Sequence, residues 1–501
     1  MFQFLHFNFV ICISVLVAGC AVGPDFESPE LPKTESYTQS ELVKETASAP
    51  GQGGQPQRFI QGQDIPAEWW HLFQCQPLNE LIKQGLKNSP HLEAAQAVLR
   101  QARENLTAEI GTAFLPAVDA QLGAQRNKEN GATSGLSNSP PQTFNLYNAS
   151  VQISYTFDLF GGARRQVEAL ESQVEYQNFQ LEAAYLTLTA NIVTAAINEA
   201  SLRAQIKATQ EVLSLQEQQL KIIKSQVEFG GASQADIYAQ ETLLAQTRAS
   251  LPDLQHKLAQ SRHALSVLVG SFPSASKLSE FTLEAIHLPL EIPVTIPSSL
   301  VRKRPDIRAS EALLHEASAQ VGIATANLYP QFTLTGNYGS QTNHSHDLLS
   351  GGTNIWGIWS QILQPIFRGG SLIAKENAAI ANYDQAFAQY RQTVLQAFQN
   401  VADTLHALEV DAQMLNAQAE AEEAASKGLA LTQKQFRLGA ISYLTLLNAE
   451  RQYQQTRINR IQAQAMRYAD TAALFQALGG GWWNRTPLND RKQAQKDNNR
   501  I

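Results

Sequence analysis

Residues 145–159 read NLYNASVQISYTFDL, and the order of their side chains decides the fold class. Tyr147, Ala149, Val151, Ile153, Tyr155, Phe157 and Leu159 share one face, while Asn148, Ser150, Gln152, Ser154, Thr156 and Asp158 share the other. Neighbouring side chains of an extended strand point to opposite sides, so a period of two over this length marks a strand with one apolar and one wet face. Upstream, Val118, Ala120, Leu122 and Ala124 alternate with Asp119, Gln121, Gly123 and Gln125. Downstream, Phe332, Leu334, Gly336 and Tyr338 alternate with Gln331, Thr333, Thr335 and Asn337. A fourth run, Thr353 to Phe367, alternates less cleanly but carries Trp356 and Trp359, a residue type suited to a membrane interface. The expected strands are 114–126, 145–159, 330–341 and 353–367, joined pairwise by polar loops over 127–143 and 341–352. They form only two hairpins amid long helices, which does not suit a soluble sandwich. Their length suits transmembrane strands, which take about 9–11 residues or more. No later stretch holds 18 consecutive apolar residues, so a membrane crossing by the mature chain requires a closed barrel.

Each strand pair is followed by a long proline-free stretch, 162–228 in one case and 371–436 in the other. At 1.5 Å rise per residue, a helix of this length spans roughly 100 Å, too long for one globular domain to bury. Ile206, Leu213, Leu220 and Val227 recur at sevens, as do Leu408, Leu415, Leu429 and Phe436, with Glu422 filling the slot between Leu415 and Leu429. The spacing predicts a coiled-coil seam, interrupted once by a carboxylate that either reaches water at the seam's edge or faces a lumen. The rest is rich in Ala, Gln and Glu, suiting helices packed around a watery interior.

The two halves are copies. Asn88-Ser89-Pro90 and Arg304-Pro305-Asp306 each open a helical stretch, Leu115-Pro116 is echoed by Tyr329-Pro330, and Gly161-Gly162 by Gly369-Gly370. Phe229-Gly230-Gly231-Ala232-Ser233 is echoed by Leu438-Gly439-Ala440-Ile441-Ser442, and Val269-Gly270 by Leu478-Gly479. The offset stays at roughly 208 to 215 residues, far above solenoid periods of about 20–50. The chain is therefore mainly α with a transmembrane β-barrel, a duplicated unit of helix, two strands, long helix, turn and helix. The first repeat covers 67–270, with turn 229–233 and helix 234–270. The second covers 298–479, with turn 437–442 and helix 443–478. Four strands cannot close a barrel alone, since the smallest transmembrane barrels have eight; two or three copies satisfy the count.

At the N-terminus, Phe9 to Ala18 is apolar but too short to span a bilayer, and has the length of a signal-peptide core. It ends in Val17-Ala18-Gly19-Cys20, which matches the bacterial lipobox, so residues 1–19 are expected to be cleaved and Cys20 lipidated. The stretch before the apolar run lacks Lys and Arg, a departure from the usual positive start. Residues 20–66, rich in Pro, Gln, Gly and Ser, are expected to form an extended, lipid-anchored tether. Residues 271–297, with four prolines, form a linker, and 480–501 a polar tail. Cys75 is left without a partner once Cys20 is acylated, and is expected to be a small buried residue. A formal charge of -7 with 17% charged residues excludes nucleic acid as a partner, which would need a basic face.

These features together resemble the TolC superfamily, specifically the NodT-like lipoprotein branch serving resistance-nodulation-division (RND) efflux pumps. The resemblance covers roughly Cys20 to Trp483. It is carried by Cys20-Ala21-Val22-Gly23-Pro24-Asp25-Phe26, Trp69-Trp70, Arg304-Pro305-Asp306-Ile307, Tyr329-Pro330, Pro365-Ile366-Phe367-Arg368-Gly369-Gly370 and both Gly-x-x-Ser turns. It implies a homotrimer with a twelve-strand barrel in the outer membrane, a twelve-helix periplasmic tunnel, and an equatorial domain built from the irregular segments. It implies three partners: outer-membrane lipid, a periplasmic adaptor (membrane fusion) protein and an inner-membrane RND transporter. By resemblance to other bacterial lipoproteins, the absence of Asp at position 21 favours the outer membrane.

The turns also have a reading of their own. Gly230 and Gly439 suit the left-handed position ending a helix, and Ser233 and Ser442 suit N-caps, with Asp236 three residues on completing an approximate capping box and Thr445 a weaker partner. By resemblance, Gly230, Gly231, Ser233, Gly439 and Ser442 form the periplasmic tip that closes and meets the adaptor. Leu444 and Asn448, with Phe436 and Arg437 just before the turn, occupy the positions of the relatives' constriction. Asn448 departs from the common Asp. Three Asn side chains can hydrogen-bond one another, whereas three carboxylates repel.

No nucleophile, metal or cofactor constellation is readable. His344 and His346 sit in a polar loop, Gly479-Gly480-Gly481 opens no helix and so cradles no phosphate, and three Met give no relay for soft metals. The expected function is a passive exit duct for small toxic compounds or drugs, not an enzyme. The competing readings are an outer-membrane duct for protein or peptide secretion, and a structural coiled-coil periplasmic lipoprotein.

Overall fold

The computed structural model describes residues 21–34, 36–39, 43–129 and 141–485. The signal peptide, Cys20 and the tail beyond Arg485 lie outside the described residues. Two compact units are present, one taking residues up to Pro29, Val98–Asn178 and Ala309–Arg391, the other taking Glu30–Ala97, Phe179–Arg308 and the remainder from Gln392.

The first unit contains a four-stranded antiparallel sheet, order β2-β3-β5-β6, from β2 (Ala117–Glu129), β3 (Gln142–Phe157), β5 (Gln331–Thr342) and β6 (Asn354–Leu363). The two hairpins are thus joined edge to edge through β3 and β5. Register carries the apolar face across all four strands: Ala120 pairs with Val151, Val151 with Tyr338, and Tyr338 with Trp356. Val118, Ile153, Gly336 and Ile358 form the next row. On the other face the Thr156 and Thr333 hydroxyls lie 3.1 Å apart. Trp356 and Trp359 do not share a belt. They stand three positions apart, so they point oppositely, and Trp359 pairs with Thr335 in the row of Ser154. β2 and β6 each leave one edge unpaired among the described residues.

Strand ends follow local chemistry. β2 starts at Ala117 because helix α2 (Pro90–Phe114) runs up to the Pro116 bend. β3 ends at Phe157 because Asp158 turns to accept from the backbone N–H groups of Ala163 and Arg164, at 3.1 and 3.0 Å, and so caps the next helix. β6 ends at Leu363, two residues before Pro365, a residue that cannot donate to a ladder.

The long helices are α3 (Gly162–Glu228) and α7 (Ser371–Arg437), each of 67 residues. Each turns back into a 35-residue helix, α4 (Gln234–Leu268) and α8 (Tyr443–Ala477) respectively. The α7 seam keeps its expected centre, with Leu408, Leu415 and Leu429 buried. Its interruption is an ion pair: Glu422 is held by Arg460 of α8. On α3 the buried stripe is rotated from the expected leucines. Leu213 is buried, but Ile206, Leu220 and Val227 are only half-buried, and Gln205, Thr209, Gln216 and Ile223 lie deeper.

The second unit also contains a two-stranded parallel sheet, β1 (Arg58–Gln61) against β4 (Glu291–Val294). Residues 43–62 are therefore built into the fold, part of the 20–66 segment that the sequence suggests is an extended, lipid-anchored tether. Arg467 of α8, fully buried, holds them: Nη1 donates to the Gly53 carbonyl at 2.9 Å, and Nη2 donates to Thr46 Oγ1 at 2.8 Å and the Gln55 carbonyl at 2.9 Å. A four-residue strand has no readable period, and its partner lies some 230 residues away, so no local signal announces it. Cys75 is buried, and burial pushes its thiol up. Trp482 and Asn484, at the start of the expected tail, are fixed: the Trp482 indole N–H donates to the Lys303 carbonyl at 2.6 Å, and the Asn484 amide to that of Ile65 at 2.8 Å.

Candidate gate and helical tip

The tip is made by the two α-helical turns. Gly230 and Gly439 have φ of 76° and 71°, the left-handed region open to glycine. Beyond each, an N–H reaches back to finish the helix: Gly231 to the Gln226 carbonyl at 2.7 Å, and Ala440 to that of Gln435 at 3.0 Å. At the first turn Ser233 and Asp236 form a full reciprocal capping box. At the second, Ser442 Oγ accepts from the Thr445 N–H at 3.4 Å, but the Thr445 hydroxyl meets Ser442 Oγ instead of the cap backbone, so the box is half made. Phe229, leading into the first turn, is 89% exposed.

Four helices pack just behind these turns. Ile223 of α3, Ile237 and Leu243 of α4, Leu429 of α7, and Tyr443, Leu446 and Leu447 of α8 form one buried cluster. Phe436 packs on it, its ring 5.3 Å from that of Tyr443. Leu444 and Asn448 lie on the opposite side of α8. They are four residues apart, hence one turn apart on one face, and both are exposed, Leu444 at 64%. Arg437 is also exposed. The structure thus groups Leu444 with Asn448 and places Phe436 in the packing behind them.

Sequence reasoning misses the polar layer in this packing. Tyr443 donates its hydroxyl to Gln240 Oε1, and Gln240 Nε2 donates to the Gln216 carbonyl at 2.9 Å, which ties α8 to α4 and α4 to α3. Burial pushes the Tyr443 hydroxyl far up, so it stays a donor. Glu450, one turn beyond Leu446, is buried as well. These helices are rich in Gln and Glu throughout, so nothing in the sequence separates the buried ones from the solvated ones.

The segment that follows Cys20 is seated in the first unit. The Val22 N–H donates to the Phe160 carbonyl at 3.0 Å, Arg165 Nη2 bonds Asp25 at 2.6 Å, and the Phe26 ring stacks on His315 at 4.3 Å. His315 Nε2 meets Glu168 at 2.9 Å, and Glu168 also takes Arg165 at 2.7 Å.

A duplicated set of long helices joined to a sheet with one exposed apolar face defines the class: a helical tunnel continued into an outer-membrane β-barrel. Comparison with known proteins agrees. The model of the outer membrane efflux protein family matches residues 81–271 and 296–480, and the chain belongs to that family. The toluene efflux pump outer membrane protein TtgC of Pseudomonas putida is 30% identical over 478 residues, covering 94% of each chain. The cation efflux system protein CusC of Escherichia coli is 26% identical, covering 94% of this chain and 98% of its own. The solved outer-membrane channel OprN superposes with a TM-score of 0.82 at 28% identity, over 92% of this chain and all of the other. The protein is an outer-membrane efflux channel.

Proposed function

We propose that three copies of this chain form a passive, gated exit duct for small toxic compounds or drugs, with Leu444 and Asn448 as its constriction. The observation that carries the gate is their shared exposed face on the first turns of α8, opposite the buried cluster. Related by a threefold axis, three Leu444 side chains would pack as an apolar plug. Three Asn448 amides would hydrogen-bond around the axis without the repulsion of a carboxylate ring. Arg437 and Phe436 precede this constriction and support it. The unpaired edges of β2 and β6 support the assembly: twelve strands from three chains pair every edge, as a barrel in lipid must. Gly230, Gly231, Ser233, Gly439 and Ser442 shape the tip that docks a periplasmic adaptor, through which an inner-membrane RND transporter delivers cargo. Acyl chains on Cys20 anchor the chain to the outer leaflet's inner neighbour, each buried CH₂ adding about 0.8 kcal/mol. Among the described residues no group of metal-ligating side chains is present, in keeping with a passive duct. Planar-bilayer recording of wild type against Asn448→Asp tests the gate. Greater cation selectivity and a leakier closed state are expected of the variant; unchanged selectivity and leak would overturn it.

A further inference from the structure

Glu450 sits on the buried side of α8, two residues beyond Asn448 and so turned away from it. It is 7% exposed within a single chain, so its burial does not depend on assembly. Its Oε2 has no hydrogen-bond partner, and it makes no ion pair among the described residues. Several of the charged groups on the helices around it are committed elsewhere, and Lys221 of α3 and Lys434 of α7 are exposed. From α4, Asp236 caps its own helix with Ser233, and Glu241 is paired with Lys224 at 2.9 Å. From α3, Glu217 is paired with Arg248 at 3.0 Å, and Glu211 with Arg457. From α7, Glu422 is held by Arg460, and Glu423 by Lys427 at 2.5 Å. On α8 itself, Tyr443 is occupied by Gln240, and Arg451 is exposed. Glu450 lies within electrostatic reach of Tyr443, which is tied through Gln240 to Gln216 of α3, whose side-chain amide N and O are both buried and unbonded. The neighbours of Glu450, Ala449 and Tyr453, pack against the buried cluster of α3, α4, α7 and α8, so this carboxyl lies at the edge of that cluster, behind the gate face.

We propose that Glu450 is a proton-operated lock on the tip: protonated, it packs with the Tyr443–Leu447 cluster and holds the channel shut, and on losing its proton it loosens that packing and favours opening. An unpaired carboxylate in such a setting is costly, whereas the neutral acid needs only one acceptor. Burial alone pushes its carboxyl up to about 7. A group raised in this way contributes its full stability at low pH and loses it as pH climbs through that value. Closure is therefore strongest in acidic surroundings and weakens as pH climbs toward and through neutrality, beyond which little further change remains. The proposal rests on the reading that this end of α8 closes the duct.

The test records reconstituted full-length channels between about pH 6 and pH 8.5. Wild type is expected to gain several-fold in open probability with a midpoint near neutrality, and Glu450→Gln to keep the low-pH value throughout. A flat wild-type profile, or a Glu450→Gln profile that still rises, overturns the proposal. Asp411, also raised by burial and by Asp470, is the competing titrating group, so Asp470→Asn must leave the response in place; its loss there would overturn the assignment to Glu450. Should Glu450→Gln fail to assemble, hydrogen exchange of residues 443–456 in wild type decides. Protection corrected for intrinsic exchange must fall through the same range, and constant protection overturns the lock. If Asn448→Asp leaves conductance unaltered while that protection still follows pH, the constriction is misplaced and the lock stands.

Discussion

Single residues set the most exacting demands in the segment behind the expected lipid anchor. Gly23 has φ of 90°, and a Cβ there would come within 2.5 Å of the Gly322 Cα. Gly322 is itself packed under Arg165, so neither partner has room to give. Gly23→Ala is expected to unseat residues 21–29 at a cost of about 1 kcal/mol or more while leaving the helices intact. Limited proteolysis measures it: cleavage in this segment should accelerate several-fold, and an unchanged rate would show that the seat tolerates a side chain. The sequence reveals the residues whose chemistry is local. Gly230, Gly439 and Ser233 are readable because a left-handed turn and an N-cap need those types in that order. Glu450, Gln216 and Gln240 are not, because their burial is decided by three other helices.

At the scale of elements, period and punctuation were legible and rotation was not. The proline-free runs mark α3 and α7 nearly to the residue, because a glycine at each end supplies the stop. The seam on α3 is a different matter. A heptad of Ile and Leu suggests one stripe, but packing places Gln205, Thr209 and Gln216 deeper, as suits a helix with neighbours on two sides. The strands are readable from alternation, and the odd spacing of Trp356 and Trp359 puts them on opposite faces, but register is needed to show which of them lies in the row of Tyr338. Trp356 is 72% exposed on the apolar face, and Trp359 lies on the other. In a barrel with the apolar face toward lipid, Trp356→Arg should destabilise by up to about 2–4 kcal/mol, depending on depth, and Trp359→Arg by clearly less. Unfolding in urea from lipid vesicles measures both, and equal costs would refute the face assignment. β1 and the Arg467 hub were invisible for a third reason: contacts far apart in sequence leave no period.

For the whole molecule, duplication explains the economy of the design. One unit of helix, hairpin, long helix, turn and helix, used twice, gives four strands and two helical turns. The relatives carry the same plan for different cargo, as the names toluene efflux pump and cation efflux system indicate. The shared architecture thus defines a duct. Among the described residues the sheet is not closed: β2 and β6 end its four-stranded order with open edges. Completing that sheet is the central claim, and the oligomer mass tests it most directly. Native mass spectrometry of the detergent-solubilised protein should give three copies of the mature chain, and those particles should conduct in a planar bilayer. A stable monomer with no conductance would contradict the account.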